Sequence, residues 1–122
     1  MMMVFLILMI FGSKKVSSLD VLKYYSDKFV LEHYEEATGM VGLWESEKVV
    51  FQRSIQNKCA QLLEIGCGTG RISFGLSQLG YAKITATDFS KKMIIRAKEL
   101  NEKYKTKIDF QKQDATALTF EE

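Results

Sequence analysis

Histidine and cysteine are scarce in this chain: one histidine, His33, and two cysteines among 122 residues. A single histidine excludes any imidazole cluster built from this chain alone. Cys59 and Cys67 lie eight residues apart and fit neither a disulfide framework nor a zinc site, so a reducing, cytoplasmic setting is expected. Excess charge is lacking too. Seventeen basic against fifteen acidic residues leave a formal net charge of +2, too small to argue for nucleic acid or an anionic membrane. No internal repeat and no low-complexity linker occurs. What is present is an ordinary globular balance, 47% hydrophobic and 26% charged, in a length that suits one domain with one core.

A long hydrophobic run is also missing. The opening MMMVFLILMIF is wholly apolar, but a membrane span needs about twenty such residues. Its basic residues follow the apolar stretch rather than precede it, and no small-residue cleavage site is evident. Three readings stand: a buried or interfacial segment, a weak export signal, or a start assigned too early among three methionines. Residues 1–17 are therefore set apart, and no function rests on them.

From Ser18 to Leu31, Leu22, Tyr25 and Phe29 recur at helical spacing, with Ser18 as the N-cap. EEATGMVGLW reads as a loop, and Ser46 to Gln56 as an amphipathic helix carrying Val49, Val50 and Ile55, ended by Asn57 and Lys58. Residues 18–57 thus form a helical cap. QLLEI (61–65) suits a buried strand, Gly70 to Leu79 a helix closed by Gly80, and KITATD (83–88) a second strand. Ser90 caps a helix whose Met93, Ala97, Leu100 and Tyr104 share one stripe; KIDFQ (107–111) is a third strand. Strand, helix, strand, helix, strand with short connections predicts an α/β fold with parallel strands and right-handed crossovers.

Ligands in such sheets bind outside the carboxyl ends of the strands. Three features converge there. Gly66-Cys67-Gly68-Thr69-Gly70 follows the first strand, and its glycines permit positive φ and close approach to the main chain. Asp88 ends the second strand, where it would accept from a ribose diol. Asp114 lies just past the third, where it would accept from an exocyclic amine. A dinucleotide fingerprint requires G-x-G-x-x-G, whereas Arg71 stands where its last glycine would fall. Glu64, two residues before Gly66, opposes a pyrophosphate and suits a ligand with an ammonium or sulfonium charge.

At these residues the sequence resembles the class I S-adenosylmethionine-dependent methyltransferases. LLEIGCGTGR is similar to that family's first motif, ITATDFS to its acid-ended second strand, and KQDATAL to its third strand-end segment. The resemblance covers residues 58–122; KYYSDKF and LWESEKVV resemble, less specifically, the helical caps of small-molecule methyltransferases. It implies a Rossmann-like three-layer sandwich, of which about three of seven strands are counted here, and S-adenosyl-L-methionine as cofactor. Carried over, Glu64, Gly66, Cys67, Gly68 and Gly70 line the methionine end, Asp88 the ribose, Phe89 or Met93 the adenine face, and Asp114 with Ala115 the adenine amine. Tyr24 or Tyr25 would cover the cofactor from the cap. The implied acceptor is a small molecule; no general base and no oligomeric state can be read. With the fourth strand not reached, the chain is expected to be a marginal or inactive piece, with an apolar strand edge and uncovered helix faces.

Plainer readings stand beside these. Asp88 before Phe-Ser suits local helix capping, Asp114 before Ala-Thr a turn cap, and Glu64 a surface acid. Cys67 suits a small turn residue, His33 a solvated one, Met93 the core, and the lysines from Lys91 to Lys107 a solvated face; Trp44 suits a lid or ordinary packing. A nicotinamide-dependent oxidoreductase and a non-catalytic partner module remain as other functions.

Overall fold

The structure is a computed structural model and describes residues 17–25, 27–30, 32–33 and 42–120. Helices α1 (Ser18–Tyr25) and α2 (Glu45–Ser54) precede strand β1 (Gln61–Ile65). Helix α3 (Arg71–Gln78), strand β2 (Lys83–Asp88), helix α4 (Lys91–Lys103) and strand β3 (Asp109–Lys112) follow. The strands form one parallel sheet in the order β1-β2-β3. It is the α/β, Rossmann-like arrangement expected, and its sheet is incomplete, an open three-stranded one.

Register decides where the site falls. Glu64 pairs with Ala86 and Asp88 with Lys112, so the carboxyl ends of all three strands lie along one edge. Alternation along β1 and β2 turns Leu62, Glu64, Ile84 and Ala86 to one face, where they are buried with Phe110. Helices α2, α3 and α4 supply Phe51, Ile72, Leu76, Ile94, Ala97 and Leu100 to the same core. The opposite face, with Leu63, Thr85 and Gln111, borders an open hollow of about 1020 Å³. The described residues thus leave an open sheet face, and helix residues such as Val49, Val50 and Ile95 are exposed as well.

Of the three apolar residues that the sequence suggests for the buried stripe of α2, only Ile55, at its C-cap, is buried. Val49 and Val50 are exposed, whereas Phe51 and Ile55 are buried. The Tyr81 hydroxyl lies within hydrogen-bond reach of the Phe51 carbonyl at 3.1 Å and the Ile55 carbonyl at 2.7 Å, fastening the end of the helix to the core. Helix α2 stops at Ser54, before Asn57, whose side chain instead accepts from Cys59 N in the following turn. The cap of α1 is Ser17 rather than Ser18: Ser17 Oγ accepts from Asp20 N, and Asp20 Oδ2 accepts from Ser17 N. Phe29 is exposed and Val30 buried in its place. The side chain of Tyr25 and the segment 1–16 lie outside the described residues. Among those described, no helix is long and apolar enough to cross a membrane.

Gly75 sits where α3 meets the segment before α2. A Cβ there would stand 2.2 Å from Leu43 Cγ, too close to coexist. Gly75→Ala should therefore lower the thermal midpoint, although alanine gains roughly 1 kcal/mol of helix propensity, because overpacking costs roughly 1–3 kcal/mol. Adding Leu43→Ala should recover part of the loss. A Gly75→Ala chain that melts higher than the parent would disprove the contact.

Candidate functional site

The turn after β1 hangs from the end of β2. Gly66 N and Cys67 N both donate to the Thr87 carbonyl, at 2.8 and 2.9 Å, and Gly68 N donates to Asp88 Oδ2 at 2.9 Å. Successive amides aimed at one strand end require left-handed backbone, and Gly66, Gly68 and Gly70 have φ of +76°, +56° and +98°. The glycines differ in what they face. A Cβ at Gly66 would meet nothing within 4 Å, so the main chain there borders open space. A Cβ at Gly70 would stand 2.8 Å from Phe110 and 2.9 Å from Phe74, so that glycine serves packing.

Asp88 does two jobs with its two oxygens. Oδ2 holds the turn through Gly68 N, and Oδ1 accepts from Ser90 N at 2.8 Å, next to the start of α4. Ser90 Oγ in turn accepts from Met93 N, so the expected capping and the site-facing acid coexist in one segment. Each carboxylate oxygen keeps a further lone pair. Burial raises the Asp88 pKa, while the Ser90 and Gly68 amides oppose that rise.

Glu64 is no surface acid: it is 7% exposed and lies on the helix-covered face. Ser73 Oγ donates to its Oε2, in a close contact. Burial pushes its pKa up to about 7, the Ser73 hydroxyl and the Arg71 charge pull it down, and Asp88 adds to the rise. Glu64 and Asp88 are therefore near enough to feel one another. Cys67 is buried, and burial together with both carboxylates drives its thiol pKa up, which suits a turn residue and not a nucleophile.

The remaining candidates separate. Phe89 is partly exposed, with Lys112 Nζ 5.6 Å from its ring centroid. Met93 is fully buried in α4 and packs as core. Asp114 reaches the same sheet edge, since the neighbouring Gln113 N donates to the Asp88 carbonyl at 3.0 Å. Its Oδ1, however, accepts from Thr116 N and Thr116 Oγ1, the turn-cap arrangement, and Ala115 beside it is exposed. Tyr24 and His33 are exposed on the preceding helical segment. Sequence reasoning passed over Ser73 and gave Arg71 only a negative meaning. A polar residue on the buried stripe of α3 was the available sign for Ser73.

Residues 62–122 match the model of a methyltransferase domain, which is half of the chain. This chain belongs to that family. Its members of class I use S-adenosylmethionine as their usual cofactor. The chain is 31% identical over 109 residues to a mouse eEF1A lysine and N-terminal methyltransferase, covering 89% of this chain and 15% of that protein. The Drosophila melanogaster homolog is 35% identical over 60 residues, 49% of this chain and 9% of that protein. The chain thus spans only a small part of the curated relatives it matches. The crystal structure of PH0226 protein from Pyrococcus horikoshii OT3 shares the fold, with a TM-score of 0.55 at 21% identity over 79% of this chain and 40% of the other. These relatives overturn the small-molecule acceptor expected from the N-terminal cap: the curated methyltransferases here are named for a protein acceptor. The cap segments resembled those of small-molecule enzymes only in kind, and helical periodicity encodes packing rather than acceptor.

The raised Glu64 pKa has a stability consequence with a definite sign. Between the ordinary glutamate value of 4.5 and about 7, the folded chain binds more protons at Glu64 than the unfolded chain. Its contribution to stability should therefore fall as pH rises through that window, by up to about 3 kcal/mol, and stay level above it. Asp88 acts in the same sense, whereas the lowered values at Glu47 and Asp114 act at more acid pH. Urea unfolding from pH 4.5 to 8 should show this slope in the parent and a flatter one in Glu64→Gln. Parallel curves would rule out a buried, titrating Glu64.

Proposed function

We propose that this chain holds S-adenosylmethionine at the turn between β1 and α3 and serves methyl transfer to an amine of a protein. The observation that carries the reading is the Gly68–Asp88 hydrogen bond, which fixes a left-handed turn beside open space at Gly66. A cradle of bare main chain with a carboxylate at its rim suits an adenosine thioether, so the residues present fit the cofactor. In this reading Gly66 and Gly68 admit the methionine portion, Asp88 takes the ribose hydroxyls with its remaining lone pairs, and Phe89 flanks the adenine. Glu64 supplies negative charge behind the methionine amine. Asp114 and Ala115 close the adenine end, with the Asp114 carboxylate exchanging its Thr116 contacts for the ligand.

When bound, the cofactor supplies a methyl group on a positively charged sulfur. The chain's own part is to bind, orient and exclude water; orientation of this kind lowers barriers by roughly 7–11 kcal/mol. Cys67 is held as a buried thiol and takes no part. The protein acceptor rests on the eEF1A lysine and N-terminal methyltransferases, whose names give that acceptor class.

Calorimetry should show S-adenosylhomocysteine binding and no heat with NAD. Asp88→Ala should weaken binding roughly 10–100-fold, as expected for hydrogen bonds to a charged group. Tritiated methyl from S-adenosylmethionine should appear on eEF1A and not on small amines. NAD binding without S-adenosylhomocysteine binding would overturn the assignment and favour an oxidoreductase.

A further inference from the structure

Ser73 is the third residue of α3 and is fully buried, among the apolar Ile72, Phe74 and Leu76. A serine inside a helix ordinarily returns its hydroxyl to a main-chain carbonyl one turn back or points it to water. Here Ser73 Oγ instead donates to Glu64 Oε2, from helix to strand. The acid is held at its main chain too, because Thr87 Oγ1 donates to the Glu64 carbonyl at 3.2 Å. Thr87 is also buried, and its own carbonyl receives Gly66 N and Cys67 N. Two buried hydroxyls therefore tie Glu64 to α3 and to the strand end that carries the glycine turn.

The helix that brings in Ser73 is itself fixed. Arg71 Nη1 donates to the Gly42 carbonyl at 2.7 Å and to Glu47 Oε2 at 2.9 Å, and Nη2 donates to Glu47 Oε1 at 2.8 Å. This fork fastens the first turn of α3 to α2 and the segment before it. One turn further along, Leu43 fills the notch at Gly75. Ser73 lies between the two fastenings, so its hydroxyl is held in place before any ligand arrives.

Only one oxygen of Glu64 is taken. Oε1 receives no hydrogen bond from the described residues, yet Lys58 Nζ is the one sealed side-chain nitrogen or oxygen among them that lacks a partner. Oε1 therefore keeps some contact with solvent, in keeping with the 7% exposure of Glu64. A carboxylate fastened by one oxygen has the other left to meet a cation. The hydroxyl and the amide of Ser73 both lower the Glu64 pKa against the burial that raises it, which favours the charged form.

We infer that Ser73 is a positioning residue that, with the Thr87 hydroxyl, fixes the Glu64 carboxylate so that Oε1 receives the ammonium group at the amino-acid end of the ligand. This role rests on the proposed function and deepens it. Ser73 and Glu64 make the site selective for an adenosine thioether that carries an amino acid over one that lacks it. Ser73 touches no ligand and acts through Glu64.

Calorimetry of the 122-residue chain with two ligands tests this role. S-adenosylhomocysteine carries the ammonium group, whereas 5′-methylthioadenosine is an adenosine thioether without the amino-acid end. Ser73→Ala should weaken S-adenosylhomocysteine binding about fivefold and 5′-methylthioadenosine binding less than about twofold. Glu64→Gln should show the same selectivity, and adding Ser73→Ala to it should cost little more, because both remove one interaction. Should Ser73→Ala not fold, Ser73→Cys, of similar shape with a weaker donor, takes its place. Equal weakening of both ligands marks Ser73 as packing only and overturns the inference, as does unchanged S-adenosylhomocysteine binding in a folded variant. Without ligand, urea unfolding should show Ser73→Ala and Glu64→Gln to be less than additive; full additivity removes the hydrogen bond and the inference with it. A parent chain that binds neither ligand overturns the proposed function and the ligand role of Ser73 together. A parent that binds both, with equal losses in the variant, overturns the role of Ser73 alone.

Discussion

The site depends on one carbonyl and one carboxylate at the end of β2. Thr87 O receives two consecutive amides of the glycine turn, and Asp88 receives the next. A strand-to-helix connection therefore takes its shape from a neighbouring strand rather than from its own residues. Glycines make the left-handed angles inexpensive, but only β2 in register supplies the acceptors. Parallel pairing of β1 with β2 in turn needs α3 as the crossover between them. Turn, crossover and second strand are thus a single cooperative unit, and none of them has a function alone.

That arrangement sorts two acids into different states. Asp88 at the rim is held by three kinds of contact, with Gly68, Ser90 and partial solvent, and its hydrogen bonds oppose the effect of burial. Glu64 lies one layer deeper, among Leu62, Ile72 and Ile84, where burial dominates. A carboxylate in such a place is stable only with a donor and a counter-charge, and α3 brings both in its first turn, Ser73 and Arg71.

Strand and helix order was legible in the sequence because the apolar runs of β1 and β2 stop at glycine or acid, and because Gly80 and Ser90 mark helix ends. The glycine turn with Asp88 was legible for the same reason, since backbone demands show in residue identity. The buried stripe of α2 was legible only at Ile55: Val49, Val50 and Phe51 adjoin one another, and tertiary packing buries Phe51 and exposes the two valines. Gly70 looked like its two neighbours, but Phe110 and Phe74 give it a packing role. Asp114 satisfied the spacing rule and the turn-cap rule together, and local hydrogen bonds to Thr116 decide its geometry. Arg71 marked only a missing glycine, because its partner Glu47 is set by tertiary contact.

The cap and the sheet are joined more closely than their sequence patterns imply. Leu43, Phe51 and Ile55 belong to the same buried cluster as Leu62, Leu76 and Ile84, and the Glu47–Arg71 fork lies at its margin. A displacement of residues 42–47 would therefore be felt at the first turn of α3.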